Sequence, residues 1–148
     1  MAPATSRKHS PRKYRPISHT ADVGWRIWGA SLAELFENAA GALMATMTDR
    51  RLLRPRETRD IFVEAPDREA LLVAWLNHLL YLYDVDGFLG RDFQVLNLSP
   101  TSLEAQARGE SYDPQRHVGK TAVKDATYHR LAITRQDHGW QATVILDL

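Results

Sequence analysis

The chain has 148 residues, 44% of them hydrophobic, which is the size and make-up of one globular domain with one core. It has no cysteine, which excludes disulfides and thiolate metal sites. No apolar run approaches the ~20 residues that cross a bilayer, and the N-terminus lacks the apolar stretch of a secretory signal. Cytoplasm is therefore the expected compartment. The net charge of +1 is unevenly spread: residues 1–16 hold Arg7, Lys8, Arg12, Lys13 and Arg15 and no acid, which leaves −4 for residues 17–148. The expected organisation is a disordered basic tail over 1–16 followed by one domain over 17–148. A basic arm for RNA phosphates and an organellar transit peptide are the other readings of such a tail.

In chain order, Trp25 and Ile27 alternate with polar neighbours and predict a strand over 24–29. Ser31 followed by Glu34 forms a capping box. Behind it, Leu32, Phe36, Ala39, Leu43 and Met47 recur at three- and four-residue spacing, predicting an amphipathic helix over about 32–48. The polar run from Thr48 to Arg56 contains Pro55 and reads as a loop. Residues 59–65 read as a strand. Asp67 is placed to cap a second helix, whose Leu71, Leu72, Trp75, Leu76, Leu79, Leu80 and Tyr83 cover more than one face, so it is expected at the centre of the core. Asp84-Val85-Asp86-Gly87 ends it, with Gly87 suited to a left-handed cap and no later ligands of a calcium loop. Strands are expected over 91–98, 102–109, 120–126, 130–136 and 140–147, with Gly139 in the last hairpin turn. Two helices among about seven strands define an α+β fold: a compact domain with a mostly antiparallel sheet packed against two main helices.

The chemistry-bearing residues are few. Asp22 stands in Ser18-His19-Thr20-Ala21-Asp22, before the first strand. At the other end Trp140, Ala142, Val144, Leu146 and Leu148 share one face, and Gln141, Thr143, Ile145 and Asp147 the other. Asp147, Asp22 and an oxygen of Leu148, read as a terminal carboxylate, are hard donors for calcium, magnesium or manganese. Periodicity alone does not bring residue 22 to residue 147. His19, His117 and His129 lack zinc-ligand spacing, and no glycine-rich phosphate loop occurs. Residues 109–129 read as a polar hairpin turning at Asp113-Pro114, with Arg116 beyond it and Lys120 and Lys124 on a following strand. Its charges suit either a decorated hairpin or a surface facing a partner's active site.

Five blocks in order, HTADVG, ENAAGALMATMTD, EALLVAWLNHLLYLYD, GESYDPQRH with KTAVKDATYH, and the closing VILDL, resemble the archease family over nearly all of residues 17–148. The resemblance implies a protein that is not itself an enzyme. It implies an accessory factor of the GTP-dependent RNA ligase that joins a 2′,3′-cyclic or 3′-phosphate end to a 5′-hydroxyl end in tRNA splicing or RNA repair. That factor promotes guanylylation of the ligase histidine and repeated turnover. The resemblance also implies a divalent metal on Asp22, Asp147 and Leu148, and Lys124 at the ligase interface; His19, Asp113 and Arg116 are further candidate contacts there. RNA is then met through the ligase, and no membrane is involved. Two positions depart from the family pattern: Ser18 replaces an acid, and Asp125 replaces a small residue beside Lys124, with which it is able to pair. Competing readings are a chaperone-like module that prevents aggregation, a metal-dependent hydrolase with His19 as base, and an RNA-binding protein acting through residues 1–16.

Overall fold

The computed structural model describes residues 12–17 and 22–148. Seven strands and two helices follow in the order β1 (Tyr14–Ile17), β2 (Val23–Gly29), α1 (Leu32–Met47), β3 (Glu57–Glu64), α2 (Arg68–Asp86), β4 (Phe88–Leu98), β5 (Ser102–Ser111), β6 (Asp125–Gln136) and β7 (Gly139–Asp147). They build two antiparallel sheets, one of four strands in the order β1-β2-β7-β6 and one of three in the order β3-β5-β4. The α+β class expected from the pattern is the class observed. The strands divide into two sheets, with the helices packed between and against them: α1 lies on β2 and β4, and α2 on β6, β4 and β3.

The helix ends follow from the sequence. The Ser31 hydroxyl accepts the Glu34 amide at 3.1 Å, while the Glu34 carboxylate reaches back to the Ala30 amide at 3.2 Å. The Asp67 carboxylate accepts the Ala70 amide at 2.8 Å, and Gly87 caps α2 at φ 68°, a conformation that costs a side chain. Between Glu69 and Asp84, α2 carries no charged residue. Leu71, Leu72, Trp75, Leu76 and Leu79 are buried in the core, and the Trp75 indole donates to the Phe36 carbonyl at 2.9 Å. An apolar helix of this kind needs cover on several sides, which α1 and both sheets supply.

Three differences from the sequence reading matter for the site. The boundary expected after residue 16 lies earlier, because Tyr14–Ile17 pair with β2 as an edge strand, where Pro16 needs no ladder partner. Residues 1–11 lie outside the described residues. The strands expected over 120–126 and 130–136 are instead one strand, β6, whose register with β7 shifts between Thr127 and Ala132; Arg130 takes φ 55° within that shift. Residues 120–124, which carry Lys120 and Lys124, are not strand. The amides of Lys120 and Thr121 donate to the carbonyls of Met47 and Thr46, capping the open end of α1.

Candidate functional site

Antiparallel register decides which residues meet at the end of the four-stranded sheet. Val23 pairs with Leu146 in the last rung of the β2–β7 ladder, so Asp22, a bend residue just before β2, and Asp147, the last residue of β7, lie at the same end of the sheet. Asp125 pairs with Asp147 on the far side. Residues directly opposed on antiparallel strands share a face, with Cβ atoms about 5 Å apart. Val144 and Leu146 belong to the core, so the alternation turns Asp147 and Asp125 to the face away from the helices. The chain arrives there under restraint: the Lys124 amide donates to the Asp147 carbonyl at 2.8 Å. The Lys124 side chain is exposed and makes no ion pair or hydrogen bond with a described residue, so the pairing with Asp125 allowed by sequence is not made. Leu148 follows Asp147 and is 38% exposed.

Among the described residues only oxygen donors meet at this end, a set that suits a hard cation. Among the described residues no three His, Asp or Glu side chains gather closely enough to hold a metal alone. Asp22, Asp147 and a Leu148 oxygen are two carboxylates and a main-chain group, so a bound cation would complete its shell from water or a partner. His19 lies outside the described residues.

Asp113 and Arg116 belong to a second cluster. The Asp113 carboxylate accepts the Gln115 amide at 2.9 Å, closing a turn in which the Arg116 and His117 amides donate to the Asp113 carbonyl. Arg116 forms a salt bridge with Glu110 and lies 3.7 Å from the Asp113 carboxylate. Both charges are thus engaged within the chain. Glu110, which the sequence reading did not single out, and His117, which it weighed only as a zinc ligand, are the buried members, at 5% and 4% exposure. Nδ1 of His117 accepts the Asp113 amide at 2.8 Å, which places the ring proton on Nε2, 2.9 Å from the Glu110 carboxylate. Burial alone would raise the Glu110 carboxyl. The hydrogen bonds from Arg116, the Arg54 amide and His117 outweigh it and hold the group at about 2. The signal available in sequence was an acid and a histidine flanking a turn, which does not reveal burial.

A two-helix, two-sheet α+β domain with a carboxylate pair at one sheet end is the class of protein these features define. The sequence profile of the archease protein family matches residues 14–148, and the chain belongs to that family. The protein archease of Methanosarcina barkeri is 39% identical over 141 residues, covering 93% of this chain and 97% of its own. That of Thermococcus gammatolerans is 39% identical over 142 residues, covering 93% and 99%. The solution structure of Methanobacterium thermoautotrophicum protein 1598 superposes with a TM-score of 0.79 at 35% identity, covering 91% of this chain and 98% of its own. A crystal structure from Thermotoga maritima, described as an archease and possible chaperone, has a TM-score of 0.62 at 22% identity over 95% and 99% of the two chains, a likeness of fold. No helix among the described residues is long and apolar enough to cross a membrane.

Proposed function

We propose that this protein is an accessory factor of the GTP-dependent RNA ligase that joins 3′-phosphate and 5′-hydroxyl ends, and that it promotes guanylylation and repeated turnover of that ligase. The observation that supports the reading most is the placement of Asp22 and Asp147 at one end of the β2–β7 ladder, with Lys124 tied to the same strand end. The two carboxylates and an oxygen of Leu148 would hold a divalent cation, calcium, magnesium or manganese. A cation there supplies positive charge at a position where the triphosphate of the ligase's nucleotide is presented. Asp22 and Asp147 fix it on two hydrogen-bonded strands. The exposed ammonium of Lys124, carried by a segment anchored on α1, would meet the partner's phosphates beside it. Neither residue needs to break a bond; the contribution is placement of charge, consistent with a chain that carries no phosphate cradle of its own.

The test is multiple-turnover ligation with catalytic amounts of the same organism's ligase, GTP, manganese and an RNA pair ending in 3′-phosphate and 5′-hydroxyl. The native protein is expected to stimulate turnover, and Asp22→Ala and Asp147→Ala to lose that stimulation. Full stimulation by both variants would remove the metal role, and no stimulation by the native protein would remove the ligase reading. A chaperone-like reading draws on the exposed Phe62, Tyr81 and Tyr128. It predicts protection of unrelated clients from aggregation that survives Asp22→Ala.

A further inference from the structure

The outer face of the four-stranded sheet is polarised in a way the carboxylate site does not explain. Register arranges it in rows that cross the strands. Ile17, Gly24, Ile145 and Thr127 form the row next to the aspartates. The row after it is Arg15, Arg26, Thr143 and Ala132. The last is Trp28, Gln141 and Thr134, with Lys13 beside Trp28 through the bond from the Trp28 amide to the Lys13 carbonyl. Acids occupy strand positions of this face only in the aspartate row; the far half carries Lys13, Arg15 and Arg26.

Arg15 and Arg26 are directly opposed, an arrangement that like charges disfavour. Neither guanidinium makes an ion pair with a described residue, and Nε of Arg26 is buried without a hydrogen-bond partner. The smaller sheet behaves in the ordinary way: Arg108 stands opposite Asp92, and Gln106 donates to Asp60 at 3.0 Å. Beside the cations stand Trp28, half-buried and bonded to Gln141 at 3.2 Å, and the Thr143 and Thr134 hydroxyls. Cations without acids, an aromatic ring and hydroxyl donors on the far half of a sheet face are what a single strand of nucleic acid requires, for its phosphates, its bases and its sugars. A duplex is disfavoured, since a four-stranded sheet face is too broad for either groove.

We propose that the far half of this face binds single-stranded RNA directly, its phosphates on Lys13, Arg15 and Arg26. The cationic face stands on its own geometry; the choice of RNA over DNA rests on the ligase reading above. The protein then holds an RNA end as well as touching the ligase.

The experiment is fluorescence anisotropy of a labelled single-stranded RNA ending in 3′-phosphate, titrated with the full chain and no ligase, so that its failure is separate from failure of ligase stimulation. Binding is expected within about 100 µM, the weak end of non-specific affinity, with a log–log salt slope of about −2 from roughly three phosphate contacts. Arg15→Glu, at an exposed edge position, should weaken it about tenfold, and Arg26→Gln should weaken it with the fold intact by circular dichroism. Arg108→Glu, on the other sheet, should leave it unchanged. The proposal is overturned by no binding in that range, or by equal loss in Arg108→Glu. Loss in Arg7→Ala/Lys8→Ala but not in Arg15→Glu overturns it in favour of the N-terminal residues. Heparin bound as tightly as RNA, and as sensitively to Arg15→Glu, overturns the assignment to RNA.

Discussion

His117 and Glu110 are joined by a hydrogen bond of 2.9 Å between Nε2 and a carboxylate oxygen, and both side chains are almost fully buried. This pair, with Arg116 and the Arg54 amide, ties the turn over 112–117 to the end of β5. Beyond the turn, the Thr48 hydroxyl donates to the Val118 carbonyl at 2.7 Å and Gly119 bridges Thr48. The path to Lys124 is therefore fastened at Glu110, at the end of α1 and at Asp147.

The first prediction concerns the charge of Glu110. Its carboxyl is held below the ordinary value, at about 2, so the folded state favours the ionised form more than the unfolded chain does. That contribution is complete above about pH 4.5 and is lost as pH falls toward 2. Glu110→Gln leaves Arg116 without its buried partner and should cost about 3 kcal/mol at neutral pH. Urea midpoints at pH 6 and pH 2.5 check both points: the variant starts lower and falls less between them. A variant that falls as steeply as the native protein would show that Glu110 does not carry the acid sensitivity.

A second prediction concerns Gly87, whose φ of 68° ends α2. A Cβ there meets nothing nearer than the Tyr112 amide nitrogen at 3.9 Å, so space is not the obstacle. Gly87→Ala should cost about 1 kcal/mol through the left-handed conformation alone. A thermal melt lowered by several degrees agrees; an unchanged melt means the cap can be rebuilt without positive φ.

Much of this was legible in the sequence, and the parts that were not share a cause. Ser31, Glu34, Asp67 and Gly87 act within one turn of themselves, so the helix ends could be read locally. Tyr14-Arg15-Pro16-Ile17 has little strand character of its own and is a strand because β2 lies beside it. Lys120 to Lys124 alternate like a strand, yet the amides of Lys120 and Thr121 serve carbonyls of α1 and that of Lys124 serves Asp147. The placement of Asp22 and Asp147 at one sheet end is a matter of register between chain ends, which periodicity cannot supply; resemblance pointed to it, and β2–β7 pairing accounts for it. The pairing of Glu110 with His117 escaped notice because burial of a polar pair leaves no periodic trace.

Lys124 provides a third prediction. Its side chain is exposed and without a partner among the described residues, so Lys124→Ala should leave the melting temperature within about a degree, as surface changes generally do. If the residue faces the ligase's phosphates, ligation turnover should fall well below that of the native protein at equal concentration. A variant with native stimulation would place Lys124 outside the interface. A variant with a large loss of stability would show that the segment needs the side chain itself.

The last prediction uses sign to separate a metal site from two surface carboxylates. Asp147 pairs with Asp125 on β6, and Asp22 lies at the same sheet end just before β2. Like charges so opposed destabilise strands by a few tenths of a kcal/mol each. Without divalent metal, Asp147→Asn should therefore be neutral or slightly stabilising, since the backbone bond from Lys124 is untouched. A cation bound only to the folded chain reverses the order. At a hundred times its dissociation constant it adds about 2.7 kcal/mol to the native protein, and a variant short of one carboxylate gains much less. Melting temperatures of both proteins in chelator and in rising manganese or calcium report this without any ligase. Crossing of the two curves supports a cation held by Asp147. Parallel curves mean that the strand end is acidic but binds no metal, and that any help given to the ligase comes from the exposed groups beside it.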